Sequence, residues 1–219
     1  MSCRSYFLRM LLVGLTGSIG VGKSFVGSVL AELGCRVLDA DDTAREVVAP
    51  GSAALNDVVA QFGTEILQND GTLDRSKLGS LVFGDADKRA VLNSILHPYI
   101  IARQDQRLRE WETEDPRGIA VVDAALMIES GGYKRFDKLI VAYCSPEVQL
   151  KRVMARKNLS REEAESRIGA QMSQEEKKKF ADYLIDTSDG FDAARQRTAE
   201  VYGELTNELR RRNQSAADG

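Results

Sequence analysis

Eight consecutive residues, Gly17-Ser18-Ile19-Gly20-Val21-Gly22-Lys23-Ser24, satisfy the pattern G-x-x-x-x-G-K-[ST] at every fixed position. Glycines let the main chain curl until successive N–H groups point inward, a shape that cradles phosphate oxygens. A helix starting at the end of such a loop adds the positive end of its dipole. Lys23 brings a cation to the outer phosphates and Ser24 a hydroxyl to Mg²⁺. The chemistry implied is binding of a nucleoside triphosphate, ATP or GTP.

Carboxylates form the second group. Asp39, Asp41 and Asp42 follow one short apolar run, and Asp123 ends another. Phosphoryl transfer to an alcohol needs one carboxylate at the acceptor hydroxyl and another near the metal. Asp41 is the candidate for the first role and Asp123, through a metal-bound water, for the second. Asp42 is the better candidate for capping the next helix. Basic side chains form the third group. Gln149, Arg152 and Arg156 fall at helical spacing, and Arg167 and Gln171 repeat it. Arginines on a mobile flap would neutralise developing charge and exclude water. The run Lys177-Lys178-Lys179 reads as a solvated face.

These groups have to be carried by elements that the sequence also marks. Leu11–Thr16 is an apolar run that suits a strand covered on both faces. From Ser24 to Leu33 apolar residues recur at helical period, and Gly34 marks the stop. Further strands are expected at 36–39, 119–122, 138–143 and 183–185, each followed by a helical pattern. Strand alternating with helix predicts an α/β fold with a parallel sheet of five strands. Ligands of open α/β sheets bind beyond the carboxyl ends of the strands. Asp39, Asp41 and Asp42 then lie beside the phosphate loop, provided the second strand neighbours the first. The stretch from Asp41 to Gly118 is far longer than one crossover needs. It predicts helices at 52–62, 77–82, 85–96 and 98–111. A second helical excursion runs from Pro146 to Ala181, with capping boxes at Ser160/Glu163 and Ser173/Glu176. The expected organisation is a nucleotide-binding core of 10–48, 118–145 and 182–213, a helical acceptor-binding insertion at 49–117 and a lid at 146–181. The tail from Arg210 is expected to fray.

Composition removes other classes. Thirty Lys and Arg against 33 Asp and Glu give a net charge of −3, which does not suit a general nucleic-acid binder. Three cysteines, Cys3, Cys35 and Cys144, without a Cys-x-x-Cys, support neither a disulfide framework nor a zinc ribbon and suit a reducing cytoplasm. The single histidine, His97, excludes multi-histidine metal sites. The N-terminal apolar stretch is broken by Arg9 and is too short to span a bilayer. No Asn is followed by Lys, which disfavours a regulatory GTPase.

In order along about 180 residues, several segments resemble one family. They are Gly14-Leu15-Thr16-Gly17 through Ser24, Val37-Leu38-Asp39-Ala40-Asp41 with Ala44-Arg45, and Leu96-His97-Pro98. They continue with Asp123 to Glu129, Ser145 to Arg152, Arg167 to Gln171, and Ala181 to Asp186. The family is dephospho-CoA kinase, of the nucleoside-monophosphate-kinase-like P-loop group. The resemblance implies transfer of the ATP γ-phosphoryl group to the ribose 3′-hydroxyl of dephospho-coenzyme A. Carried over by motif, Asp41, Lys23 and Arg156 are the catalytic residues. Gly17, Gly20, Val21, Gly22, Lys23, Ser24, Phe25, Arg152 and Arg156 hold ATP. Thr16, Asp41, Arg45, His97, Pro98 and Asp123 face the acceptor, and Ser24 and Asp123 hold Mg²⁺. His97 serves as a wall rather than a base. The chain departs from the family's usual pattern at Ser18, Val21, Ile101, Ala125 and Thr187. A cytoplasmic enzyme, monomeric or a weak homo-oligomer, is expected, with no nucleic acid or membrane partner. A different small-molecule kinase, acting on shikimate or a nucleotide, is the alternative enzyme; a nucleotide-binding regulator is the non-enzymatic one.

Overall fold

The computed structural model describes residues 10–215, so Cys3 and the apolar stretch at 6–8 lie outside the described residues. Five strands form one parallel sheet: β1 (Leu11–Thr16), β2 (Arg36–Asp39), β3 (Ile119–Asp123), β4 (Lys138–Tyr143) and β5 (Tyr183–Asp186). Their spatial order is β2-β3-β1-β4-β5. The second strand is therefore not a neighbour of the first; β3 lies between them. The order of strands is set by the crossovers, which the spacing of apolar runs does not reveal. The register places Leu15 opposite Asp123 on one side and opposite Ile140 on the other. Asp123 thus stands beside the end of β1, where the phosphate loop begins.

Among the described residues the contacts divide the chain into two compact units, 10–38 with 111–215, and 39–110. In the first, α1 (Lys23–Glu32) packs on the sheet, with Val26 and Leu30 fully buried. A long helix, α9 (Phe191–Ser215), adds Val201, Leu205 and Leu209 to the same core. It stays helical from Arg210, where the sequence predicts fraying, to Ser215: Leu209 is buried just before this turn and Arg212 within it pairs with Glu208 and Asp137, while the rest of the tail lies outside the described residues. Helices α6 (Pro146–Lys157), α7 (Arg161–Gly169) and α8 (Gln174–Lys178) make up the second excursion. Both expected capping boxes are formed, at Ser160/Glu163 and Ser173/Glu176.

The second unit holds α2 (Ala40–Glu46), α3 (Ala53–Phe62), α4 (Arg75–Val82) and α5 (Ala86–Glu114), the last of which runs on into the first unit. Its core is Val48, Leu55, Val58, Ile66, Leu73 and Leu78. Two helices expected at 85–96 and 98–111 are one, and α5 passes through Pro98 without a break. A proline removes an amide and crowds the preceding turn. Here Leu92, Ile95 and Leu96 before it and Tyr99 after it pack on the same apolar cluster, and that burial outweighs the local preference.

Candidate active site

The phosphate loop is built by backbone shape. Gly20 and Gly22 adopt positive φ of 80° and 82°, the region that side chains disfavour. A Cβ at Gly20 would also stand 2.6 Å from Val153 Cγ2. Gly22 is the N-cap of α1 and offers no side-chain cap to the helix. Among the described residues, the amides of Gly20, Gly22, Lys23 and Ser24 donate to no protein acceptor. A helix start normally finds partners for these groups. Four amides left over around one curled loop form an anion site, and the dipole of α1 reinforces it.

The tip of the loop is held from outside. Ile19 N–H donates to Gln171 Oε1 at 2.8 Å. Its carbonyl accepts from Gln149 Nε2 at 2.8 Å. Gln174 in turn bridges Gln149 Oε1 at 2.8 Å and the amide of Cys144 at 2.9 Å. Ser18 Oγ donates to the carbonyl of Met172 at 3.2 Å. Behind the loop, the buried Thr187 donates its hydroxyl to the Val21 carbonyl at 2.6 Å. Arg152 donates to Thr187 twice, at Oγ1 (2.9 Å) and at the carbonyl (2.8 Å). Arg152 therefore supports the loop through Thr187.

The ammonium of Lys23 pairs with Asp123 Oδ1, the lysine being 16% and the acid 6% exposed. Thr16 is fully buried and gives its hydroxyl to the Ala125 carbonyl at 3.1 Å, so its part in the site passes through the turn after β3. Phe25, on the first turn of α1, lies 4.7 Å from the ring of Phe191, which is 68% exposed. Arg156 borders a cavity of about 150 Å³ with Ile19, Gly20, Val153 and Leu159. Ser24 and Asp123 offer only oxygen donors, the set that a hard cation such as Mg²⁺ takes.

In the second unit, Asp41 is exposed on the first turn of α2. The cap of that helix is Asp39, not Asp42: its Oδ1 accepts from the amides of Asp41 (2.6 Å) and Asp42 (3.3 Å). The helix begins at Ala40, so only position 39 can reach both amides. Asp42 pairs instead with Arg45. His97 and Pro98 are exposed along α5. Arg103, farther along the same helix, pairs with Glu46, and this hydrogen bond holds the Glu46 carboxyl below its usual range.

The expectation of a solvated lysine run fails at one residue. Lys177 has no exposed surface. Its ammonium donates to the Ala125 carbonyl at 2.7 Å and pairs with Glu129 at 2.9 Å. A run of three lysines on a helix turns one of them inward, and which one depends on where α8 docks.

A family model described as dephospho-CoA kinase matches residues 11–192. The chain belongs to the dephospho-CoA kinase family. The dephospho-CoA kinase of Streptomyces avermitilis is 43% identical over 197 residues, 90% of this chain and 94% of the relative. That of Geobacter sulfurreducens is 44% identical over 193 residues, 88% and 98% of the two chains. Among solved structures, TT1252 from Thermus thermophilus superposes with a TM-score of 0.77 at 31% identity, covering 90% of this chain and 98% of that one. Dephospho-CoA kinase from Campylobacter jejuni gives a TM-score of 0.62 at 28% identity, covering 91% and 98%. The matched span runs from β1 to the start of α9 and so contains the loop, Asp41, Asp123, Arg152 and Arg156.

Proposed function

We propose that this chain carries out its family's reaction, ATP-dependent phosphorylation of the ribose 3′-hydroxyl of dephospho-CoA, the final step of coenzyme A synthesis, with the following division of labour. The unspent amides of Gly20, Gly22, Lys23 and Ser24 receive the phosphates of ATP. Lys23 leaves Asp123 for the outer phosphates as they arrive, a short move for a flexible cation already at the loop. Phe25 borders the nucleoside. Ser24 and Asp123 hold Mg²⁺, which when bound neutralises phosphate charge. Asp41 orients the 3′-hydroxyl and takes its proton. Two features support that role: Asp41 lies two residues past the carboxyl end of β2, and its carboxylate has no partner among the described residues. Arg45, His97 and Pro98 form the wall for the acceptor. Arg156 meets the transferring phosphoryl group.

The observation that carries the reading is the set of four unpartnered amides around a loop whose lysine faces the strand-end acid Asp123. The decisive experiment incubates the purified chain with ATP, Mg²⁺ and a panel of acceptors: dephospho-CoA, shikimate and nucleotides. Release of ADP that depends on dephospho-CoA, with coenzyme A as product, is expected. Release no faster than with water, or faster with another acceptor, overturns it.

We further place the reaction in the cytoplasm, with a monomer or weak homo-oligomer as the working form. Cys35 and Cys144 are free, buried thiols, as suits a reducing compartment. Among the described residues, no helix is long and apolar enough to cross a membrane.

A further inference from the structure

We propose that Lys177 is a positioning residue for phosphoryl transfer: with Glu129 it latches the segment that grips the tip of the phosphate loop to the turn that follows Asp123. The inference rests on the reaction assigned above, and the latch goes beyond any role given to that site.

Residues 171–177 touch the loop at one end and the turn after β3 at the other. At the loop end, Gln171 accepts the Ile19 amide and the Met172 carbonyl accepts the Ser18 hydroxyl. At the other end, Lys177 donates to the Ala125 carbonyl at 2.7 Å and to Glu129. Glu129 also accepts the Met172 amide at 3.2 Å, so the same carboxylate holds both ends of the segment. The Ala125 carbonyl accepts a second bond, from the hydroxyl of Thr16 at the end of β1. Two residues before Ala125 stands Asp123, which carries Lys23. One buried ammonium therefore ties together the two groups that must keep a fixed separation during transfer, the loop and the strand-end acid.

Chemistry favours this arrangement over a plain surface pair. A lysine with no exposed surface is rare unless its charge is met, and here every contact that meets it belongs to the turn after β3. Glu129 is 24% exposed, so water reaches its outer oxygen while the lysine stays dry. A neutral side chain of the same length would fill the space and leave the turn and the segment free to slide. Displacements of about an ångström at a transfer centre cost about a hundred-fold in rate.

The test compares the full-length parent chain with Lys177→Met, Glu129→Gln and the double variant Lys177→Met/Glu129→Leu. The single lysine variant strands a carboxylate, and Glu129→Gln strands the buried ammonium while keeping a hydrogen-bond acceptor. The double variant strands neither charge, since an apolar pair replaces the ion pair. Steady-state kinetics are run well below the lowest unfolding midpoint, together with amide hydrogen exchange at Ile19. In all three, kcat is expected to fall about a hundred-fold while KM for ATP stays within about three-fold. Exchange at Ile19 is expected to rise at least about ten-fold, with Ile140 in β4 unchanged. The double variant separates the roles: a merely structural pair predicts that it recovers both the unfolding midpoint and kcat. Turnover within about ten-fold of the parent in a folded variant, a loss confined to KM, or unaltered exchange at Ile19 overturns the latch. A parent chain that fails to phosphorylate dephospho-CoA sinks the assigned reaction instead, and the exchange at Ile19 then decides the latch alone.

Discussion

Thr187 donates its hydroxyl to the carbonyl of Val21 at 2.6 Å, binding the end of β5 to the floor of the phosphate loop. The same hydroxyl accepts from Arg152 at 2.9 Å, so one buried atom serves both a loop carbonyl and a guanidinium. Thr187→Val keeps the volume and removes these bonds together with a longer one to the Tyr143 carbonyl at 3.3 Å. A buried carbonyl left without a donor costs about 1–3 kcal/mol. Thr187→Val is expected to lower unfolding stability by about 2 kcal/mol in urea titrations and to raise KM for ATP, whereas Thr187→Ser recovers most of both. Equal stability in the valine and serine variants would show that the hydroxyl is dispensable.

Asp41 and Asp42 separate a chemical role from a structural one. Both are exposed, and the cap of α2 uses their amides rather than their carboxylates. Asn at either position therefore leaves the helix intact. Asp41→Asn is expected to reduce kcat about 10²–10³-fold with ATP affinity kept. Asp42→Asn breaks only an exposed pair with Arg45 and is expected to stay within about two-fold of the parent. Titration calorimetry with ATP alone, followed by turnover measurements, checks both. An Asp41→Asn protein as active as the parent removes the proton acceptor from the scheme.

The sequence made some of this readable and hid the rest, for physical reasons. Apolar runs located the three central strands, β1, β3 and β4, since a strand buried on both faces needs an unbroken run. The edge strands β2 and β5 are only partly buried and were legible from short runs that end in Asp39 and Asp186. The loop and both capping boxes were legible because each depends on side chains a few residues apart. Everything that depends on docking was not. The insertion of β3 between β1 and β2 is a property of crossovers. The helix through Pro98 is held by Leu92, Ile95, Leu96 and Tyr99, whose shared cluster exists only after folding. The inward turn of Lys177, the grip of Gln149 and Gln171 on Ile19, and the use of Thr187 as a brace all join residues more than 40 positions apart. Asp39 is not singled out as the helix cap by sequence because three acids in four residues offer three choices, and only the start at Ala40 picks one.

Burial makes a prediction about the thiols. It pushes Cys35 up to about 12, and Cys144 is also raised, again chiefly by burial. With an unfolded value near about 8.5, Cys35 is neutral in the native protein at pH 8, and only about one molecule in 10⁴ carries the thiolate. The sign follows from the raised folded value. The contribution to stability is whole below about pH 8.5, where both states hold the proton, and declines as the pH climbs toward 12. Alkylation at pH 8, read by peptide mass spectrometry, is expected to mark Cys35 and Cys144 only after denaturant is added. Labelling of native Cys35 at the rate of a free thiol would contradict its burial.

Arg156 and Arg152 lie one helical turn apart on α6 and are expected to fail in different ways. Arg152 is tied to Thr187 through two hydrogen bonds, so its removal acts on the architecture of the loop. Arg156 is exposed, has no partner among the described residues, and borders the small cavity beside Gly20. An exposed side chain without bonds contributes little to folding, and surface substitutions of this kind usually stay within about 0.5 kcal/mol. Arg156→Met is therefore expected to keep the parent's unfolding midpoint and to lose about 10²–10³-fold in kcat, the cost of removing one preorganised donor to transition-state charge. Lysine at the same position keeps the charge but loses the planar fork, so it is expected to restore only part of the rate. The comparison needs melting curves and saturating kinetics on the two variants. If Arg156→Met turns over at the parent's rate, the guanidinium is a bystander of the loop and the charge of the transferred group is met by Lys23 and the amides alone.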